Sequence, residues 1–121
     1  MSGRLAVVGL GPGDVRWLTP EADAALAAAD ALFGYGPYLE RAPVRDGQSR
    51  HPSDNREEAL RARDALETAA AGINVALVSG GDPGVFAMAA AVSRASRARS
   101  ASSRLSDGWR LCPSRTGARS R

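Results

Sequence analysis

Two glycine-rich turns, each directly after a short apolar run, constrain this chain more than any other feature. Leu5-Ala6-Val7-Val8 leads into Gly9-Leu10-Gly11-Pro12-Gly13-Asp14, and Val75-Ala76-Leu77-Val78 leads into Ser79-Gly80-Gly81-Asp82-Pro83-Gly84. Aliphatic runs without polar alternation are the pattern of strands covered on both faces, as in a parallel sheet. Glycines that end such strands let bare backbone approach a ligand at the carboxyl edge, where open α/β sheets bind small molecules. Two such turns predict one site built from both.

The intervening residues supply helices. Thr19-Pro20-Glu21 is a start signal: Thr19 caps, Pro20 takes the first helical position and Glu21 meets the positive helix end. Ala22, Ala25, Leu26 and Ala29 follow as one apolar stripe. Ala31-Leu32-Phe33 reads as a second strand ending in Gly34-Tyr35-Gly36-Pro37-Tyr38, and Pro43 to Pro52 as a polar loop. Asp54 and Glu57 have capping-box spacing. They predict a helix from about Asn55 to Ala71, with Ala59, Ala62, Leu66 and Ala69 buried, Gly72 at its C-cap, and Arg56, Glu57, Arg61, Arg63 and Asp64 on a solvated face. Asn74–Ser79 is the next strand, and Gly84 to about Val92 begins a small, apolar helix. The order β-α-β-α-β-α predicts an α/β domain with a parallel sheet and right-handed crossovers.

Composition bounds the function. The 121 residues make at most one domain, or part of a larger one, and with 44% hydrophobic but only 5% aromatic residues the core must be built from alanine, valine and leucine. One cysteine, Cys112, and one histidine, His51, exclude an internal disulfide and a Cys/His zinc site, so no metal is expected. No apolar run approaches the ~20 residues of a membrane span. The N-terminal run enters Gly-Pro-Gly-Asp without a cleavage signal, so a cytoplasmic protein is expected.

The first turn invites a dinucleotide reading, but Asp14 replaces the third glycine of Gly-x-Gly-x-x-Gly, where a carboxylate would repel a pyrophosphate. No lysine follows to make a nucleotide P-loop. The second turn is not a nucleophile elbow, since Leu77 stands where that motif needs glycine. A tight structural turn with Asp82 capping the next helix is the plain alternative. His51 reads as an exposed loop residue or an acid–base group. Tyr35 and Tyr38 either stack on a flat ligand or pack on the sheet. No catalytic residue is assigned.

Gly9-Leu10-Gly11-Pro12-Gly13-Asp14, Leu18-Thr19-Pro20-Glu21-Ala22 and Val78-Ser79-Gly80-Gly81-Asp82-Pro83-Gly84-Val85-Phe86-Ala87-Met88 together resemble the S-adenosylmethionine-dependent tetrapyrrole methyltransferases. Gly34-Tyr35-Gly36-Pro37-Tyr38-Leu39 and Ser53-Asp54-Asn55-Arg56-Glu57-Glu58 narrow the resemblance to the precorrin-3B C(17)-methyltransferases of cobalamin biosynthesis, which also contract the ring. The resemblance covers residues 4–92. It implies the first of two α/β domains, with S-adenosylmethionine between them. Gly80, Gly81, Asp82, Pro83, Gly84, Val85 and Phe86 are then the cofactor loop. Gly11, Pro12, Gly13, Asp14, Tyr35 and Tyr38 lie on the precorrin side, and the whole protein is a homodimer. Members are roughly twice this length. The resemblance therefore leads us to expect that these residues lack the second domain and that the chain alone is inactive.

The pattern breaks at Ser93. Residues 1–91 carry 8 arginines against 12 acids, whereas residues 92–121 carry 8 arginines against Asp107 alone. Ser93 onward lacks periodicity, so residues 93–121 are expected to be disordered. The family continues the preceding helix with a pattern like Phe-Glu-x-Ile-Glu. If Ser93 and Ser96 use UCN codons and Arg94 and Arg97 use AGR, restoring one base before Ser93 gives an aliphatic or Phe codon and then a Glu-type codon, twice over, so a frameshift is suspected. The rivals are a small nucleotide-binding α/β domain, and a basic tail that binds nucleic acid by counterion release. The tail has no repeated recognition motif, and a nucleic-acid partner is disfavoured.

Overall fold

The computed structural model describes residues 3–11, 18–43, 45–54, 56–99 and 109–112. Along the chain the elements are β1 (Leu5–Gly9), α1 (Pro20–Ala28), β2 (Ala31–Tyr35), α2 (Gly36–Arg41), β3 (Ser49–Ser53), α3 (Glu58–Ala70), β4 (Val75–Ser79), α4 (Asp82–Arg99) and β5 (Trp109–Cys112). The five strands form one parallel sheet in the order β3-β2-β4-β1-β5.

Every residue of β1 and β4 is buried, as their unbroken apolar runs require. Successive side chains point to opposite faces. Leu5, Val7, Val75 and Leu77 join one core cluster with α3 and α4; Ala6, Val8, Ala76 and Val78 join the other with α1 and α2. Alanines at Ala22 and Ala25 on α1, and at Ala62, Ala65 and Ala69 on α3, let these helices lie close to the sheet. Thr19 Oγ1 accepts from the Ala22 N–H at 3.1 Å and caps α1 as expected. Gly72, at φ +102°, turns the chain out of α3.

Four expectations are corrected. The polar loop over 43–52 contains a strand, β3, which sits at the sheet edge and is almost wholly exposed. With no buried face it carries no alternation to read. The Gly34–Tyr38 segment ends β2 and then forms the short helix α2. The face of α3 is turned slightly: Ala59 is exposed, while Ala62, Ala65, Leu66 and Ala69 are buried, and Arg61 with them. Order does not end at Val92. Helix α4 runs on to Arg99, with Val92 and Ser96 buried and Ala95 packed against the core. Trp109–Cys112 pairs with β1 from Leu5↔Trp109 to Val8↔Cys112. The outer edge of β1 offers unpaired backbone groups, and any extended segment that reaches it satisfies them. Residues 100–108 and 113–121 of the expected tail lie outside the described residues.

Gly34 fixes how closely β2 and β4 meet. A Cβ there would lie 2.9 Å from the Val78 carbonyl oxygen, whereas one at Gly36 would find only Pro52 Cβ at 4.0 Å. Gly34→Ala is therefore expected to cost about 1–3 kcal/mol by overpacking. Gly36→Ala is expected to stay within ~0.5 kcal/mol of the parent. Urea unfolding of the two variants checks this, and equal midpoints would refute the close approach.

Candidate functional site at the carboxyl edge

Beyond their strands, β1 and β4 stay bonded to one another. The Leu10 N–H donates to the Ser79 carbonyl at 2.9 Å, and the Gly11 N–H to the Gly80 carbonyl. Gly11 sits at φ +74°, a conformation that favours glycine, so the ladder ends there in a turn. The two glycine-rich segments are thus one continuous structure. From β1 the chain goes to α1 on one face of the sheet, and from β4 to α4 on the other. Neighbouring strands whose connections part to opposite faces leave a crevice at their carboxyl ends.

Helix α2 closes one side of this crevice. Tyr38 lies over Gly80, where an added Cβ would come within 2.8 Å of the ring. Tyr35 meets Tyr38 edge to face, centroids 5.3 Å apart. An Arg41 Nη2 donates to the Gly11 carbonyl, and an Arg50 Nη2 from β3 donates to the Leu39 carbonyl of α2. Of the tyrosines expected beside a substrate, Tyr38 therefore sits directly against the second loop and Tyr35 against Tyr38.

The other expected site residues divide. Gly11 and Gly80 are buried at the crevice floor, and Gly81 and Gly84 are half-buried. Val85 is fully buried and packs its side chain into the α3–α4 core, while Phe86 beside it is 56% exposed. Pro12, Gly13 and Asp14 lie outside the described residues, as do the side chains of Asp82 and Pro83. His51 belongs to β3, where its ring stacks on Phe33 at 4.5 Å and 13° and its Nε2 lies 2.9 Å from Ser49 Oγ. That places it on the outer strand, apart from the glycine loops. Among the described residues no cluster of three or more His, Cys, Asp or Glu side chains could hold a metal ion. None of their helices is long and apolar enough to cross a membrane.

Arg61 is the residue that the sequence pattern misplaced. It is only 5% exposed, and its guanidinium reaches from α3 to the end of β3. Nε donates to Ser53 Oγ at 2.6 Å, Nη2 to the Asp54 carbonyl at 2.6 Å, and Nη1 to Met88 Sδ at 3.4 Å. Burial lowers its pKa, opposed by the charges of Glu58 and Glu57. It remains a cation nonetheless. Its position on the i, i+4 row with Ala65 and Ala69 was the available signal, masked by the charged residues around it. The expected capping box is half realised: Glu57 Oε1 accepts from the Asp54 N–H at 3.0 Å, while Asp54 Oδ1 takes the Arg56 N–H.

Residues 4–104 match the family model of the tetrapyrrole (corrin/porphyrin) methylases. The chain belongs to that family. It is 61% identical over 92 residues to the cobalamin biosynthesis protein CobIJ of Mycobacterium bovis, covering 76% of this chain and 18% of that protein. It is 59% identical over 95 residues to a precorrin-3B C(17)-methyltransferase of Sinorhizobium sp, covering 78% of this chain and 37% of that one. The crystal structure of the methyltransferase CobJ superposes with a TM-score of 0.80 at 46% identity, over 97% of this chain and 49% of that one. The chain thus spans less than two fifths of these curated relatives and about half of the solved one. Tetrapyrrole methylases are S-adenosylmethionine-dependent.

Arg61 holds the Ser53–Asp54 end of β3 against α3. Arg61→Ala is expected to destabilise the fold by about 2–4 kcal/mol, through lost hydrogen bonds and a cavity. Arg63→Ala, one turn-face away and exposed, is expected to change it by less than ~0.5 kcal/mol. Chemical denaturation distinguishes the two, and an unchanged midpoint for Arg61→Ala would show the guanidinium to be dispensable.

Proposed function

We propose that this chain is the N-terminal part of a cytoplasmic S-adenosylmethionine-dependent methyltransferase that C-methylates a precorrin in cobalamin biosynthesis, of the precorrin-3B C(17) type with ring contraction. The observation that carries the reading is the fused pair of glycine loops at the carboxyl edge, in a chain 59% identical over 95 residues to an enzyme of that name. The whole protein is proposed to act as a homodimer.

The residues fit such a donor. Gly80 and Gly84 let Tyr38 and Ser79 pack against the loop backbone, Gly81 between them is half-buried, and the exposed Phe86 offers an apolar surface beside them. S-adenosylmethionine supplies a methyl group already activated on a sulfonium, so transfer asks of the protein mainly the orientation of donor and acceptor. Gly80–Phe86 form the donor side, where backbone N–H and C=O groups fix its orientation. Gly11 to Asp14, Tyr35 and Tyr38 form the precorrin side. Tyr38, wedged over Gly80, sets the distance between the two sides. The bond between the Gly11 N–H and the Gly80 carbonyl keeps both loops in one register during transfer. One half of the site supports binding, and turnover is assigned to the protein with its second half.

A backbone-resolved NMR titration tests this reading on the chain itself. Millimolar S-adenosylhomocysteine is expected to shift the amide signals of Gly9–Gly11 and Gly80–Phe86 saturably, and NAD is expected to leave them in place. Perturbation by NAD, or none at these loops with either ligand, would overturn the donor assignment.

A further inference from the structure

Helix α4 carries a buried polar atom that nothing satisfies. Ser96 is 4% exposed, and its Oγ has no hydrogen-bond partner among the described residues. A helical serine can bond the carbonyl one turn earlier, and Ser96 does not. Native interiors rarely leave such a hydroxyl orphaned. Position 96 lies on the stripe Val85, Met88, Val92, each at most 2% exposed and part of the cluster shared with α3. Arg94 and Arg97 are exposed on the other side. The packing of α4 therefore asks for an apolar residue at 96 and polar residues at 94 and 97.

The genetic code connects the residues present to the residues asked for. A UCN serine codon read one base earlier becomes NUC, which encodes only Phe, Leu, Ile or Val. An AGR arginine codon after it becomes NAG, which encodes Glu, Gln or Lys when it is not a stop. Ser93-Arg94-Ala95 and Ser96-Arg97-Ala98 repeat that pair. Ser93, Ser96, Ser100 and Ser103 follow one another at steps of three and four, the spacing of one helix face. Ser100 and Ser103 lie outside the described residues and enter by spacing alone.

We infer that residues 93–121 are read one base out of register with residues 4–92, and that in the register of the first part position 96 is aliphatic or phenylalanine and position 97 polar. One independent observation agrees. The balance of charge reverses at the same point, from 8 arginines against 12 acids over residues 1–91 to 8 against one over 92–121. The inference rests on α4 and the codon table, so it stands or falls separately from the methyl-donor assignment.

Sequencing the gene across the codons for residues 85–121, in all three frames, is the direct test. The expected result is UCN at Ser93 and Ser96, with a neighbouring frame open past the codon for Arg121 that encodes an apolar residue at 96. AGY codons at both serines, or a stop in that frame before the codon for Arg121, overturns the inference. At the protein level, Ser96→Val is expected to raise the thermal midpoint by about 4–8 °C, and Ser96→Asp to lower it. A valine variant no more stable than the parent overturns the claim that this position is built for an apolar side chain.

Discussion

The pairing of β1 with β4 is the constraint on which the rest of the site depends. Their register runs without interruption from Leu5↔Val75 to Gly9↔Ser79, and the ladder continues into the turns through Leu10 and Gly11. Both strands are buried on both faces, so a slip of one residue would exchange two core clusters at once. That fixes where each glycine turn begins. The site is positioned by the core, and its loops inherit a rigidity that glycine-rich segments do not have by themselves.

Arginines extend that rigidity outward, each to a backbone carbonyl. Arg41 holds Gly11, Arg50 holds Leu39 and Arg61 holds Asp54. A guanidinium suits this task because its planar fork donates in several directions while its stem packs along apolar surface. Together these contacts join β3, α2 and the first glycine loop, and Tyr38 ties the same helix to the second loop. The chain contains no lysine, whose single flexible point charge would brace such segments less well.

The legible parts of the fold are those in which one physical requirement dictated several residues together. Unbroken aliphatic runs announced β1 and β4, and Thr19-Pro20-Glu21 announced α1, because burial and capping each leave a pattern. Strand β3 left none: Ser49-Arg50-His51-Pro52-Ser53 has no buried face, and its place comes from pairing with β2 and from His51 lying on Phe33. Helix α2 was hidden because Gly36 and Pro37 read as a turn, although proline at the first helical turn is also a start signal. Of the site, both glycine loops and their convergence were readable. The closure of the crevice by Tyr38 and Arg41 was not, since neither side chain belongs to a pattern that marks its partner.

The chain beyond Val92 meets two different demands, one from the sheet edge and one from the helix layer. Strand β1 is buried on both faces, so its outer edge must also be covered or paired, or its backbone groups lose water without gaining partners. β5 supplies that pairing over residues 109–112. The demand comes from β1 and is made on the backbone, so a segment can meet it with little contribution from its side chains. Helix α4 differs, because it is held by side chains along one stripe and an unsuitable residue there shows at once as an orphaned hydroxyl. The sheet edge thus asks for backbone, whereas α4 asks for particular side chains, and Ser96 Oγ is the buried polar atom that α4 leaves without a partner among the described residues.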